Sequence, residues 1–185
     1  TLLPPTESRS VTEHLAVLLG LDPSGTVADR ESLFFSIRTF IEAVAADRPD
    51  AVVVGSDSVL ALDGHVHGKP RDAAEAVARW RSMRGRSGVL HTGHCVIAPG
   101  GREVLRAAAT TVHFAAVTDR EIDAYVATGE PLQVAGAFTV DGLGGAFVQG
   151  IEGDHHNVVG ISLPLLREML AEVDVSWVSL WSGPY

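Results

Sequence analysis

One cysteine, Cys95, is all the thiol chemistry this chain of 185 residues contains. No intramolecular disulfide can form and no cysteine metal cluster can be built, and a reducing cytoplasm is the simplest compartment. Long apolar runs are missing too. None approaches the roughly 20 residues that span a bilayer, and the N-terminus has no signal-peptide layout. Positive charge is scarce: 14 Lys and Arg against 23 Asp and Glu leave a net charge of −9. That balance argues against a broad nucleic-acid surface, which needs clustered Lys and Arg. A small anionic ligand is still accommodated, because a few local cations suffice. Internal repeats and low-complexity tracts are absent. What remains is an acidic, soluble-type chain, 46% hydrophobic, long enough for one domain or one elongated two-lobed unit with a large core.

The patterning alternates helices and strands, which predicts one α/β unit. Residues 1–10 are polar and carry no assignment. Helical apolar spacing marks 14–21, stopped by Asp22-Pro23-Ser24-Gly25, and again 32–46. Residues 50–63 read as two strands hinged at Gly55-Ser56-Asp57. An amphipathic helix is predicted over 72–83, acidic at its start and ending with Arg79, Arg81 and Arg84, as a helix dipole prefers. Strands over 89–98 and 103–116 are joined by the Pro99-Gly100-Gly101 turn. Thr118-Asp119-Arg120-Glu121 opens a helix with a capping box, and Thr128-Gly129 stops it. A glycine-rich segment, 136–145, leads to a strand at 146–151, and a last helix covers 163–173 with Pro164 in its first turn.

Within this frame Val52-Val53-Val54-Gly55-Ser56-Asp57-Ser58 stands out. An apolar β-branched run that breaks at glycine predicts a buried strand delivering Asp57 at its open end, where ligands of α/β folds gather. Downstream, Gly68-Lys69-Pro70 fixes a lone lysine in a tight turn, a point charge suited to a phosphate. A carboxylate and a cation together suggest metal and phosphate chemistry. Each also has a plainer role: Asp57 as a turn-former, Lys69 as a solvated turn lysine, and Arg86 as a helix-end charge.

Other features point less far. His65-x-His67 lacks a third ligand and reads as an exposed hairpin. His155-His156 reads as loop surface, and Cys95 as a strand core residue. Gly142-x-Gly144-Gly145 lacks the strand-to-helix context of a dinucleotide fingerprint. Trp177 and Trp181 suit packing or dimer contacts.

The order of the motifs carries a specific resemblance: Gly55-Ser56-Asp57-Ser58, Gly68-Lys69-Pro70, Arg84-Gly85-Arg86, His91-Thr92-Gly93, Thr128-Gly129-Glu130-Pro131, Ala135-Gly136-Ala137-Phe138, Asp141-Gly142-Leu143-Gly144-Gly145, then Ile151-Glu152-Gly153 and Asn157-Val158-Val159-Gly160. From about Asp50 to about Ala171 the chain resembles the Maf family of nucleoside triphosphate pyrophosphatases. The resemblance implies one Maf-like domain over 1–185: an elongated α/β fold with a central mixed β-sheet, helices on its faces and a cleft between two lobes. It implies metal-dependent cleavage of the α–β phosphoanhydride of a nucleoside triphosphate, Mg²⁺ or Mn²⁺ as cofactor, a homodimer, and a house-cleaning role in the cytoplasm. The rival reading is a non-catalytic nucleotide-binding regulator of cell division.

By the same resemblance Asp57 is the general base and a metal ligand. Glu13, in Val11-Thr12-Glu13, is its metal-binding partner or else simply a first-turn helix acid. Lys69 and Arg86 contact phosphates, and Thr92 contacts substrate. Ser58 and Asp141 help to select the base. The branch acting on dTTP and UTP commonly has Gln where this chain has Asp141, which when ionised can only accept hydrogen bonds. That suits the donor edges of guanine or cytosine, unless Asp141-Gly142 is simply a turn. Asn157 orients the glycine-rich loop or caps the last helix, with capping preferred. Departures lie upstream. The family's Ser-x-Ser-Pro-Arg phosphate loop survives only as Ser8-Arg9-Ser10, so the N-terminal strand and loop are expected to be missing or divergent. Phe40 falls near the place of a family lysine, and Gly88 stands where the family often has His.

Overall fold

A computed structural model describes Ile41, Val44, Asp47, Arg48 and residues 50–181. In chain order it contains β1 (Val53–Leu62), β2 (His65–His67), α1 (Ala73–Met83), β3 (Ser87–Ile97), β4 (Glu103–Phe114), α2 (Asp119–Ala127), β5 (Val148–Glu152), α3 (His155–Val159) and α4 (Leu163–Glu172), with short 3₁₀ turns between them. The strands form one sheet in the order β2-β1-β3-β4-β5, which makes the fold α/β. β1 and β2 pair antiparallel with Leu60 opposite His67, and β4 and β5 pair antiparallel with Val112 opposite Ile151. No helix among the described residues is long and apolar enough to cross a membrane.

The chain divides into two compact units, one of residues 1–53 with 97–102, the other of 54–96 with 103–185. In the first, Ile41, Val44 and Asp47 are helical, in line with the helical spacing of 32–46, and the Arg48 amide donates to the Val44 carbonyl at 2.8 Å. The Pro99–Gly101 turn belongs to the same unit. Gly100 (φ 83°) and Gly101 (φ 82°) occupy the left-handed region that lets the chain reverse so tightly.

The second unit holds the larger core. Period-2 alternation along β3 buries Leu90, Thr92, His94 and Val96 on one face. Leu60 and Leu62 of β1 and Val112 and Phe114 of β4 are buried with them. At the centre is Trp80 of α1, fully buried, in edge-to-face contact with Phe114, Tyr125 and Phe147 at centroid distances of 5.8, 5.6 and 5.7 Å. Its indole N–H donates to the Ala137 carbonyl at 2.7 Å, which ties the helix to the glycine-rich segment.

The helix ends follow local chemistry. Asp72 caps α1 by accepting from the Glu75 amide, Thr118 and Glu121 form the expected capping box on α2, and Gly129 (φ 80°) follows its last turn. Ser162 caps α4 at the Leu165 amide, so the capping role expected of Asn157 falls to Ser162. Asp154 caps α3, so His155 and His156 lie in a helical turn and not in a loop.

The largest departure from the sequence reading is β1. Residues expected as two strands hinged at glycine form one ten-residue strand, and Asp57 stands in its middle. Glycine weakens a strand through its backbone freedom, but ladder bonds to a neighbour override that preference. The open character of the site survives in another form, because 54–57 of this strand are exposed.

Candidate functional site

A cleft of about 620 Å³ opens in the second unit, within the size range of small-molecule sites. One wall is the exposed stretch of β1, Ser56-Asp57-Ser58. Around it stand the Gly68-Lys69 turn, Leu90, residues 133–135, Phe138, Thr139, Asp141 and the end of α3. Four of the residues singled out in the sequence, Asp57, Ser58, Lys69 and Asp141, therefore line one cleft.

Consecutive residues of a strand point to opposite faces, so Asp57 and Ser58 are held differently. Asp57 is exposed, and its Oδ1 accepts from the Ser58 amide at 2.9 Å. Ser58 turns toward the covered face, where its hydroxyl meets Thr92 Oγ1 at 2.8 Å. Thr92 commits its own proton to the Asn157 carbonyl at 3.3 Å. Ser58 is then the donor to Thr92, and its remaining lone pairs are acceptors. Thr92 does not line the cleft; it is fully buried and fixes Ser58 from behind.

Asn157 completes this stitch across the sheet. It is fully buried, and its Nδ2 donates to the Leu90 carbonyl at 3.3 Å and to Thr110 Oγ1 at 3.1 Å. Thr110 in turn donates to the Asp154 carbonyl at 3.2 Å. Asn157 thus anchors α3, whose residues Val158 and Val159 line the cleft, to β3 and β4. Its Oδ1 has no hydrogen-bond partner among the described residues.

Lys69 is exposed at the cleft, between Gly68 and the buried Pro70. It is the only lysine in the chain. The Gly68 carbonyl accepts two hydrogen bonds, from Arg79 Nη1 at 2.5 Å and from the Gly136 amide at 3.1 Å. Arg79, expected among the basic residues of a helix end, is instead buried and pairs with Glu75 at 2.7 Å. Glu75 also accepts from the Arg71 guanidinium and amide, which hold its carboxyl at about 2.

Behind Asp141 the glycine-rich loop is organised by Glu130, which the sequence showed only as part of a motif. Its carboxylate accepts from the amides of Leu143 and Gly144, both at 3.0 Å, from the Tyr125 hydroxyl at 2.9 Å and from Thr139 Oγ1 at 2.5 Å. Burial would raise the Glu130 carboxyl, but these four donors outweigh it and bring it to about 2. Burial, with the Glu130 charge beside it, pushes the Tyr125 phenol up to about 12. The loop leaves no space above this cluster, since a Cβ on Gly144 would stand 2.4 Å from the Tyr125 hydroxyl oxygen. Gln133 and Thr139 also line the cleft. Neither announces itself by residue type or spacing, because the turn at 135–137 is what brings them there.

Arg86 is not at the cleft. It ion-pairs with Asp63 at the end of β1 and donates to the Ser82 carbonyl at 3.2 Å. Glu13, Phe40 and the Ser8-Arg9-Ser10 remnant lie outside the described residues. Among the described residues no group of three or more His, Cys, Asp and Glu could hold a metal alone. Two carboxylates, Asp57 and Asp141, do share the cleft. Asp57, the carboxylate on the exposed strand, fits Mg²⁺ or Mn²⁺, hard cations that take as few as one or two carboxylates and fill their remaining positions with water and phosphate oxygens.

Fold and cleft define an α/β protein with a cleft along an exposed strand, where Asp57, Ser58, Asp141 and Lys69 stand among apolar side chains. The chain belongs to the Maf-like protein family, whose model matches residues 37–173. A protein of Salinispora tropica is 62% identical over 132 residues, which cover 71% of this chain and 58% of that protein. One of Streptomyces coelicolor is 56% identical over 144 residues, covering 76% and 70%. Another, of Streptomyces avermitilis, is 49% identical over 177 residues, covering 88% and 86%. All three are named nucleoside triphosphate pyrophosphatase. The chain spans only 58% of the Salinispora protein's length.

Proposed function

We propose that this protein is a nucleoside triphosphate pyrophosphatase that hydrolyses the α–β phosphoanhydride to a nucleoside monophosphate and pyrophosphate. The observation that carries the reading is the convergence of Asp57, Ser58, the sole lysine Lys69 and Asp141 on one cleft. The names of its relatives support it.

Each residue has a chemical part. Lys69 offers a point charge to the triphosphate and lowers the repulsion that a nucleophile meets. Asp57 takes the proton of a water as its oxygen bonds to the α-phosphorus; the bridging P–O bond breaks and pyrophosphate leaves with the electron pair. Asp57 is the described residue that would hold a divalent cation, which when bound would supply neutralisation of the phosphate charge. Along the same cleft the Ser58 hydroxyl and the Asp141 carboxylate both present acceptors, which suits a base edge rich in donors, guanine or cytosine before uracil or thymine.

The test is pyrophosphate release from a panel of nucleoside triphosphates with Mn²⁺, joined to protection of Lys69 from acylation. Because the chain has one lysine, labelling by acetic anhydride followed by peptide mass analysis reads that side chain alone. Turnover with nucleotide protection of Lys69 is expected. Protection without turnover would favour the non-catalytic regulator, and neither would remove both readings.

A further inference from the structure

Arg79 poses a question that the proposed chemistry does not answer. It lies on α1 among Ala76, Trp80 and Met83, where a hydrocarbon would pack, and it is 6% exposed. Burying a guanidinium is costly unless charge and donors are met. Glu75 meets the charge. A second nitrogen, Nη1, donates to the Gly68 carbonyl, the peptide group directly before Lys69. A methionine or leucine would fill the same space and leave that carbonyl with the Gly136 amide alone.

Taking the proposed phosphate role of Lys69 as its premise, we infer that Arg79 is a positioning residue that holds the Lys69 turn in place for the triphosphate. Lys69 is confined on both sides, by a carbonyl gripped from two directions and by a buried proline whose ring fixes its own backbone. A lysine side chain is long and flexible, so the placement of its ammonium depends on how firmly its backbone is held. Arg79 does not line the cleft and its charge is met by Glu75, so it acts through the hydrogen bond and not as a second phosphate cation. The Gly136 amide on the same carbonyl extends the brace to the turn that leads to Phe138 and Asp141.

The experiment compares Arg79→Met, which keeps length and removes every donor, with Arg79→Lys, which keeps a charge and a donor. Two quantities are read on the full chain: steady-state pyrophosphate release, and hydrogen exchange at the Gly136 amide against the Trp80 amide inside α1. For Arg79→Met the expectation is a KM raised about tenfold with kcat within about threefold, and Gly136 exchange at least about tenfold faster while Trp80 is unchanged, the loss of one positioning hydrogen bond. Arg79→Lys should recover most of the KM.

A folded Arg79→Met with the wild-type KM and wild-type Gly136 exchange overturns the inference. A parallel collapse of kcat and KM does too, because it marks a general loss of structure. Should Arg79→Met not fold, Arg79→Lys decides: a KM within about threefold of wild type supports the inference, and a KM as high as that of Lys69→Ala overturns it. If the wild-type protein releases no pyrophosphate from any nucleotide, the proposed function falls, and Gly136 exchange in Arg79→Met still decides whether Arg79 grips the turn.

Discussion

Asp57 and Asp141 are both exposed carboxylates on one cleft, and their different supports predict different consequences of mutation. Among the described residues, the Asp57 side chain is tied to the neighbouring Ser58 amide alone. Asp57→Asn keeps that acceptor and the shape of the strand but loses the charge that takes a proton. Pyrophosphate release should fall by at least about a hundredfold with an unchanged melting temperature. Release at the wild-type rate by a folded Asn variant would remove Asp57 from the chemistry. Asp141 sits on a loop whose anchoring is done by Glu130, so its own side chain is not needed to hold that loop. Asp141→Gln should shift relative kcat/KM toward UTP and dTTP by about tenfold to a hundredfold, the size of one specific hydrogen bond. Equal losses on every nucleotide would show that Asp141 supports the loop and reads no base.

Between the elements, the strongest dependency is Glu130, which links the end of α2 to the glycine-rich loop by four accepted hydrogen bonds. Glu130→Gln turns one acceptor oxygen into a donor facing donors and should cost about 1–3 kcal/mol, the usual penalty for orphaned buried groups. The sign of its pH dependence follows from the lowered carboxyl. A group with a folded-state pKa near 2 and an ordinary value of 4.5 contributes stability that is fully present above 4.5 and is lost as pH falls toward 2. The gap in melting temperature between wild type and Glu130→Gln should therefore hold at neutral pH and narrow below pH 4.5. A gap that stays constant down to pH 2 would assign the stability to packing instead. Capping was readable locally: Asp72 and Thr118-x-x-Glu121 lie within one turn of the amides they satisfy. Asn157 was not, because its partners Leu90 and Thr110 are 67 and 47 positions away.

At the scale of the molecule, the core of the larger unit depends on Trp80, whose indole packs edge-on against three rings and whose N–H fixes the Ala137 carbonyl. Trp80→Ala removes the packing and leaves that carbonyl without its donor. A loss of about 3–5 kcal/mol in chemical denaturation is expected. Since Ala137 adjoins the cleft residue Phe138, the variant should also bind nucleotide less well at temperatures where it is still folded. A smaller loss, under about 1 kcal/mol, would mean that the core can refill the space.

What could be read from residues alone was whatever depends on neighbours in the chain or on the total charge. The starts and stops of α1, α2 and α4, the Pro99–Gly101 reversal, the family membership carried by ordered motifs, and the candidacy of Asp57, Lys69 and Asp141 all belong here. Folding in three dimensions settled the rest. Ladder pairing made β1 one strand across Gly55, which moved Asp57 from a strand end to mid-strand. Burial turned Arg79 from a helix-end charge into a grip on Gly68, and took Thr92 out of the cleft to stand behind Ser58. Arg86 was drawn to Asp63 and away from the cleft. The physical reason is common to all four: a hydrogen bond or ion pair between residues far apart in sequence leaves no periodicity and no local motif, so it exists only once the chain has brought its partners together.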